Sequence, residues 1–283
     1  MITDNLTNIV YFSDLLPEKC PILNMHITNE LQKRGIAYGY LAGTKDIWCR
    51  DYMPIQIERN RFILYKYTPD YLQDKIGLRI QTNPKEVFQT EDSLLQPIWR
   101  KCSAIDLIID GGNVVKCGDT VVMTDKVFAE NKDKSHNEVK QMLQDAFQSE
   151  ILFLPFDRKI DEYGLGHSDG IVHYVGNGKI LLTNYEDFSA YYYHRYRKAL
   201  DAHFEVIPLR YKVKRKHARS WAYINYLQVG SLVLVPQLGL EDDKQALEQI
   251  SNALPECEVV GLPTLEAVRR GGALNCISWN IQI

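Results

Sequence analysis

The 283-residue sequence predicts an α/β fold: a single closed domain, residues 1–283, of about five ββαβ modules set around an axis as a fivefold pseudosymmetric α/β propeller. Three observations predict it. A strand–strand–helix–strand pattern recurs along the chain, it recurs every 50–60 residues, and the two ends of the chain carry complementary fragments of one more module. Asp51 to Asp110 and Asp110 to Asp169 are 59 residues each, Asp169 to Ala222 is 53, and Ala222 to Gly272 is 50. That period is longer than solenoid repeats, and completion of one module by both termini suits a ring rather than an open stack. An all-β propeller of six or seven blades is disfavoured because amphipathic helices would have no place between its blades.

The N-terminal fragment reads as a strand at Val10–Phe12, a helix at Ile27–Lys33 and a strand at Tyr38–Leu41. Met53–Ile57 and Phe62–Tyr67 are strands around a turn at Arg59 and Asn60, and Ser103–Ile109 alternates like a strand. Val114–Cys117 and Thr120–Thr124 flank Gly118-Asp119; a helix follows whose apolar positions Val139, Met142, Leu143, Ala146 and Phe147 form one stripe. Ile151–Leu154 closes that module before Pro155. Gly170–Val175 and Lys179–Thr183 flank Gly176-Asn177-Gly178, a hairpin signal, followed by a helix over Phe188–Ala202 and a strand at Phe204–Pro208. Ala222–Gln228 and Ser231–Val235 flank Gly230; then come a helix carrying Ala246, Leu247, Ile250, Ala253 and Leu254, and a strand at Glu258–Val260. Ala273–Trp279 begins the module that the N-terminal fragment completes.

Composition limits the function classes. With 45% hydrophobic and 24% charged residues the chain is of ordinary globular make-up, which excludes coiled coil, collagen and wholesale disorder. A net charge of −3 advertises no polyanionic partner, so nucleic-acid binding is not expected. The longest apolar runs, such as Ser231–Val235 and Ile151–Leu154, fall far below the ~20 residues of a membrane span. The first residues lack a basic stretch followed by an apolar core, so no secretion signal is expected and the cytoplasm is the expected location. Six cysteines without CxxC spacing read as reduced thiols rather than a disulfide framework or zinc site.

Reactive side chains beside glycine or proline stand at the head of successive modules, where the first strand begins. They are Trp48-Cys49-Arg50-Asp51-Tyr52-Met53-Pro54, Asp110-Gly111-Gly112-Asn113, Gly166-His167-Ser168-Asp169-Gly170 and Gly271-Gly272-Ala273-Leu274-Asn275-Cys276. Alone, Asp-Gly-Gly is a turn, His-x-Asp a surface pair and a lone cysteine a small core residue. At equivalent points of modules packed round an axis, Asp51, Asp110, His167, Asp169 and Cys276 converge. Carboxylates gathered in one place raise one another's pKa unless a cation sits among them. One histidine, carboxylates and a thiol match no preferred metal set, whereas a planar guanidinium meets carboxylates bidentately and offers a thiolate an electron-poor carbon.

In these four motifs, in their order and across almost the whole chain, the sequence resembles the agmatine deiminase and bacterial peptidyl-arginine deiminase family of the guanidino-group-modifying pentein superfamily. The resemblance implies a fivefold ββαβ propeller and hydrolysis of a guanidine to a ureido group and ammonia, without metal or redox cofactor. It implies Cys276 as nucleophile, His167 as general acid/base, and Asp51 and Asp169 as the carboxylates that grip the guanidinium. Asp110 stands where the deiminases usually carry a glutamate that orients the histidine; Trp48, Asn113 and Gly272 complete the expected substrate-binding set, with Trp48 read either as stacking on the guanidinium or as core packing beside the site. Asn275 replaces the histidine common in the agmatine-type branch.

The expected partner is a small agmatine-like guanidine; a peptidyl arginine, amidino transfer and a non-catalytic binding module are the alternatives, and a homo-oligomer stays open. Arg210, Lys212, Lys214, Arg215, Lys216 and Arg219 read as a solvated strand edge, or else as an RNA patch or a subsite for a substrate carboxylate. The stretch Tyr191-Tyr192-Tyr193, with Tyr185 and Tyr196, reads as a helix end packed on the ring, and His173 and His194 have no evident partner.

Overall fold

The structure, a computed structural model, describes residues 1–88, 95–161 and 164–283, and within them five three-stranded sheets of one design. β1 (Ile9–Ser13) pairs in parallel with β2 (Ala37–Leu41). β3 (Ile55–Glu58), β4 (Arg61–Lys66) and β5 (Cys102–Ile108) make the second sheet, and β6 (Val115–Cys117), β7 (Thr120–Thr124) and β8 (Glu150–Leu154) the third. β9 (Val172–Gly176), β10 (Lys179–Leu182) and β11 (Glu205–Pro208) form the fourth; β12 (Leu227–Val229), β13 (Leu232–Gln237) and β14 (Glu258–Pro263) form the fifth. β15 (Ser278–Ile281) then lies antiparallel on β1, with Ile9 opposite Ile281 and Phe12 opposite Ser278, so both chain ends build the first sheet. In every sheet the middle strand is antiparallel to one neighbour and parallel to the other. The expected repeat is present.

Each parallel pair needs a crossover, because a tight turn joins only antiparallel strands. Four crossovers contain a long helix: α1 (Pro21–Lys33), α2 (His136–Phe147), α3 (Ala190–Leu200) and α4 (Asp242–Ala253). The crossover from β4 to β5 instead holds short helical turns such as Gly77–Ile80 and Leu95–Trp99. α2 starts where Ser135 accepts from the Glu138 N–H while the Glu138 carboxylate accepts from the Ser135 N–H, a capping box, and it buries Val139, Leu143 and Phe147 on one face. α3 buries Tyr193, Tyr196 and Leu200 and leaves Tyr191 exposed, so the tyrosine-rich stretch is an amphipathic helix. The β9–β10 turn places Asn177 and Gly178 at φ of 51° and 71°, the left-handed pair that a tight hairpin requires and that Asn-Gly adopts with least strain.

Several expected strands are shorter. The heads of the modules are tight helical turns: Cys49–Tyr52, Gly111–Asn113, Ser168–Gly170 and Ala218–Ile224. Ala222 therefore belongs to a turn and the fifth sheet's first strand starts only at Leu227; Ala273–Ile277 likewise precedes β15 rather than forming it. Period-two alternation cannot separate a strand from a single helical turn leading into it, and here local i to i+3 bonds, such as Asn225 N–H to Ala222 O, win. The run Arg210–Arg219 edges no strand: it follows β11 as a loop and part of the next turn, with Arg210 paired to Glu186 at 3.3 Å and Lys216 to Asp187 at 3.0 Å.

Apolar clusters bridge neighbouring sheets. Trp279 of β15 packs against Tyr11 and Phe62 at ring separations of 5.6 and 6.3 Å, and its indole N–H donates to the Pro54 carbonyl at 2.8 Å, joining the first sheet to the second. Replacing a buried tryptophan by alanine costs about 3–5 kcal/mol through lost burial and a residual cavity. Trp279→Ala is expected to lower the urea midpoint of unfolding by a corresponding amount, with an unchanged slope.

Candidate active site

The turns at the module heads, with the turn at residues 274–277 before β15, gather polar side chains in one region. Asp51 lies on the turn Cys49–Tyr52, and its Oδ1 accepts the Gly112 N–H at 3.0 Å and stands 3.6 Å from His167 Nδ1. The other ring nitrogen, Nε2, is 3.2 Å from Asp110 Oδ2, so His167 is bracketed by two carboxylates. Cys276 Sγ donates to Asp169 Oδ2 at 3.7 Å, and Asn275 Nδ2 donates to the same oxygen at 2.8 Å. Cys276, Asp51, Asp110 and Asp169 are buried, and the His167 side chain is 7% exposed.

Glycine is what lets the turns approach. A methyl group on Gly112 would sit 2.5 Å from His167 Nδ1 and 2.7 Å from Asp51 Oδ1, and one on Gly111 would collide with the Arg50 carbonyl. A methyl group on Gly272 would enter the Trp48 ring, which packs half-buried against the apolar cluster of β1 residues and Leu274. Asn113 spends its amide on the end of β7: its Oδ1 accepts the Thr124 N–H at 2.7 Å and its Nδ2 donates to the Thr124 carbonyl at 3.4 Å.

A circuit of hydrogen bonds joins the heads. Gly112 N–H reaches Asp51, His167 reaches Asp110, and Asn225 Nδ2 donates to the Asp169 carbonyl at 3.3 Å. Asn225 Oδ1 accepts the Cys276 N–H at 3.2 Å, and the Cys276 carbonyl accepts the Arg50 N–H at 3.2 Å, which returns to the first turn.

The electrostatics are those of a site rich in negative charge. Burial opposes a charge on His167, yet Asp51, Asp110 and Asp169 outweigh it and push the imidazole up to about 10. Burial, with Asp110 and Asp169 nearby, pushes Asp51 up to about 7 against the pull of His167. Burial first, then Asp169 and Asp51, hold the Cys276 thiol well above its ordinary range. Asp110 Oδ1 is buried and has no hydrogen-bond donor among the described residues.

A profile of the Porphyromonas-type peptidyl-arginine deiminase family matches residues 21–281, which is most of the chain. The chain belongs to that family. Agmatine deiminase of Medicago truncatula is 24% identical over 210 residues, 61% of this chain and 56% of the relative. The matched stretch spans less than three fifths of the length of the curated relatives. Campylobacter jejuni agmatine deiminase superposes with a TM-score of 0.72 over 99% of this chain and 94% of its own at 16% identity; a variant of it with substrate bound gives 0.73 over 99% and 95% at 15%. At such identities the likeness establishes the fold.

Other residues of this family member's site were not singled out from sequence. Lys126, the first residue of the helical turn Lys126–Glu130 that follows β7, is buried with its ammonium 2.9 Å from Asp70, 3.2 Å from Glu130 and 3.9 Å from Asp110 Oδ2. Its ammonium lies 5.0 Å from the Tyr71 ring centre, and that ring meets His167 edge-on at 6.4 Å. Burial and Asp110 push Glu130 up to about 7. No spacing marks Lys126. Asn225 does carry a signal, since it follows Asp169 by 56 residues and so falls at the repeat's next head. His173 is not partnerless: it stacks on Tyr226 at 3.7 Å and stands 3.8 Å from Asp4, and burial pushes it down to about 4.

The bracket has a direct spectroscopic consequence. In a histidine ring ¹⁵N titration, His167 is expected to remain protonated well above neutrality. Asp51→Asn removes one of its two flanking charges and is expected to move that titration down by about 1–3 pH units. A ring that titrates near its ordinary value in the unaltered protein would contradict the bracket.

Proposed function

We propose that the protein is a cysteine-dependent guanidine deiminase that hydrolyses a small agmatine-like guanidine to a ureido product and ammonia. The observation that carries this reading is the convergence of a thiol, a histidine and three carboxylates at the heads of successive modules. Family membership supports it, as do the agmatine deiminases among the relatives. We also place the five sheets around a common axis as an α/β propeller forming one domain. The hydrogen-bond circuit from Asp51 through Asp110, His167, Asp169, Asn225 and Cys276 back to Arg50 supports that arrangement. Among the described residues no helix is long and apolar enough to cross a membrane; six free thiols fit the reducing cytoplasm, where we place the enzyme.

In this reading the guanidinium enters between Asp51 and Asp169, whose charges it neutralises, and Asp110 Oδ1 offers a further acceptor. Burial, with Asp110 and Asp169 nearby, holds Asp51 at about 7 despite His167, and a bound cation restores it to the ionised form. The same cation reverses part of what holds the Cys276 thiol up, so the thiolate forms when substrate is present rather than at rest. Sulfur attacks the guanidinium carbon; His167, already an imidazolium, protonates one nitrogen, which leaves as ammonia and yields an S-alkylthiouronium. The neutral imidazole then takes a proton from water as the oxygen adds to that carbon, and the C–S bond breaks as the added hydroxyl passes its proton to the departing sulfur, giving the ureido product and the resting Cys276 thiol. Asp110 orients His167, Asn275 and Asn225 hold Asp169 and the Cys276 backbone, and Trp48 and Gly272 form a wall. Asn113, engaged with Thr124, acts by fixing the Gly111–Asn113 turn.

Cys276→Ala is expected to remove ammonia and ureido formation from agmatine, free arginine and an arginine peptide alike, while circular dichroism stays unchanged. A haloacetamidine is expected to label the unaltered protein at Cys276; retained turnover in the variant would overturn the assignment, and a folded protein that neither turns over nor labels would favour a binding module. The pH dependence has a definite sign. Protonated Asp51 must lose its proton before it can grip a cation, so KM is expected to fall as pH rises through about 7, by at most about tenfold per pH unit. Measured KM profiles for unaltered protein and for Asp51→Asn check this; the variant's KM is expected to be higher and flat across that range.

A further inference from the structure

We propose that a second cavity, outside the acid cluster, is a binding site for a mononucleotide. It has a volume of about 770 Å³, and its walls come from the Lys126–Glu130 turn, the start of α2, the loop after β8 and Tyr192 of α3. On the one-turn helix, Lys126 and Glu130 are four residues apart and face the acid cluster. Phe128 and Ala129, on its other sides, line the cavity. The two sites therefore share a wall but no side chain.

Two properties of the lining identify the ligand class. The first is charge. Lys132, Lys134, Arg158 and Lys159 line the cavity against a single acid, Asp125, in a chain whose net charge is −3. Asp125 Oδ1 is occupied by the Phe156 N–H at 2.8 Å, and Lys134 is paired with Asp133 at 2.6 Å. Lys132, Arg158 and Lys159 have no ion-pair partner among the described residues. Three such cations around a concave surface attract an anion, and the Arg158 fork can hold two oxygens of a phosphate.

The second property is the ring system. Phe128, Phe156 and Tyr192 line the same cavity. Phe128 is itself braced, stacked on His136 at 4.2 Å and packed on Phe153 at 4.6 Å. Tyr192 is fixed by donating its hydroxyl to the Phe156 carbonyl at 3.4 Å, and Arg158 lies 5.5 Å from the Phe156 ring centre. Rings held in place beside cations offer a flat base a stacking surface and its phosphate a counter-charge at once. A bare inorganic anion leaves the rings unused, and an uncharged aromatic leaves the cations unused. The volume lies within the ~300–1,000 Å³ range of small-molecule sites, enough for a mononucleotide.

Titration calorimetry of the full chain with AMP, adenosine and inorganic phosphate tests this. AMP is expected to bind about tenfold or more tightly than either fragment, because only AMP engages both rings and cations. The charge-reversed double variant Arg158→Glu/Lys159→Glu, both exposed positions outside the acid cluster, is expected to keep its circular dichroism and guanidine turnover. It is expected to lose roughly 10–100-fold in AMP affinity, the effect of two charge-assisted contacts. Arg158→Gln, which removes one contact without reversing charge, is expected to lose less. AMP binding no tighter than phosphate, AMP binding indifferent to the double variant, or no AMP binding would each overturn the proposal. None of these readouts requires that the acid cluster be a deiminase site.

Discussion

Carboxylates brought together away from water cannot all remain charged without cations among them, and the structure around His167 is organised by that constraint. Asp51 and Asp110 flank its two ring nitrogens, and the imidazolium they favour in turn stabilises their charges. A second cation, Lys126, neutralises the outer side, between Asp110, Glu130 and Asp70. The account remains short of positive charge on the inner side, where Asp51, Asp169 and the Cys276 thiol share space. Asp51 and the thiol are both displaced upward, in the direction that favours their protonated forms. A site with this imbalance is built to gain one cation, and the proposed substrate carries that charge on the group to be cleaved.

The fold makes such crowding tolerable by spreading the acids over separate modules. Each module delivers one turn, and each turn is fixed by its own short-range hydrogen bonds. The bonds between turns are largely from backbone N–H groups or asparagine amides to carboxylates and carbonyls: Gly112 to Asp51, Asn275 to the Asp169 carboxylate, Asn225 to the Asp169 carbonyl. Such donors orient an acid without bringing a further full charge into the site. Asn275 is the clearest instance, since the histidine common at that point in the agmatine-type branch would place a second titratable ring against Asp169.

Much of this could be read from the amino acids, and what could not has a physical reason. The 59-residue spacing of Asp51, Asp110 and Asp169 exposed the repeat, and the repeat brought Cys276 to the same place although it lies more than 100 residues from Asp169. Boundaries of strands at the module heads were misread because a single helical turn leaves no periodicity. Lys126 was invisible for a different reason. A lysine beside Asp125 at the end of a strand looks like any surface pair, and only the packing of Gly166 on its side chain and of Tyr71 beside its ammonium shows that it points inward. The basic run Arg210–Arg219 stood out in sequence, yet two of its members are paired with Glu186 and Asp187, which lessens its claim to a ligand.

Asp110 shows how sequence departure and local geometry compensate. One methylene shorter than the glutamate usual at this point, it still comes within 3.2 Å of His167 Nε2. The two glycines that follow it let the turn approach closely. Gly111 lies directly against the Arg50 carbonyl and Gly112 fits between His167 and Asp51, so the whole turn sits as deep as backbone contact allows. A side chain at either glycine would lift the turn and, with it, Asp110. Asp110 is in turn held between His167 on one side and Lys126 on the other, which confines a short side chain that has little freedom to search for its partner.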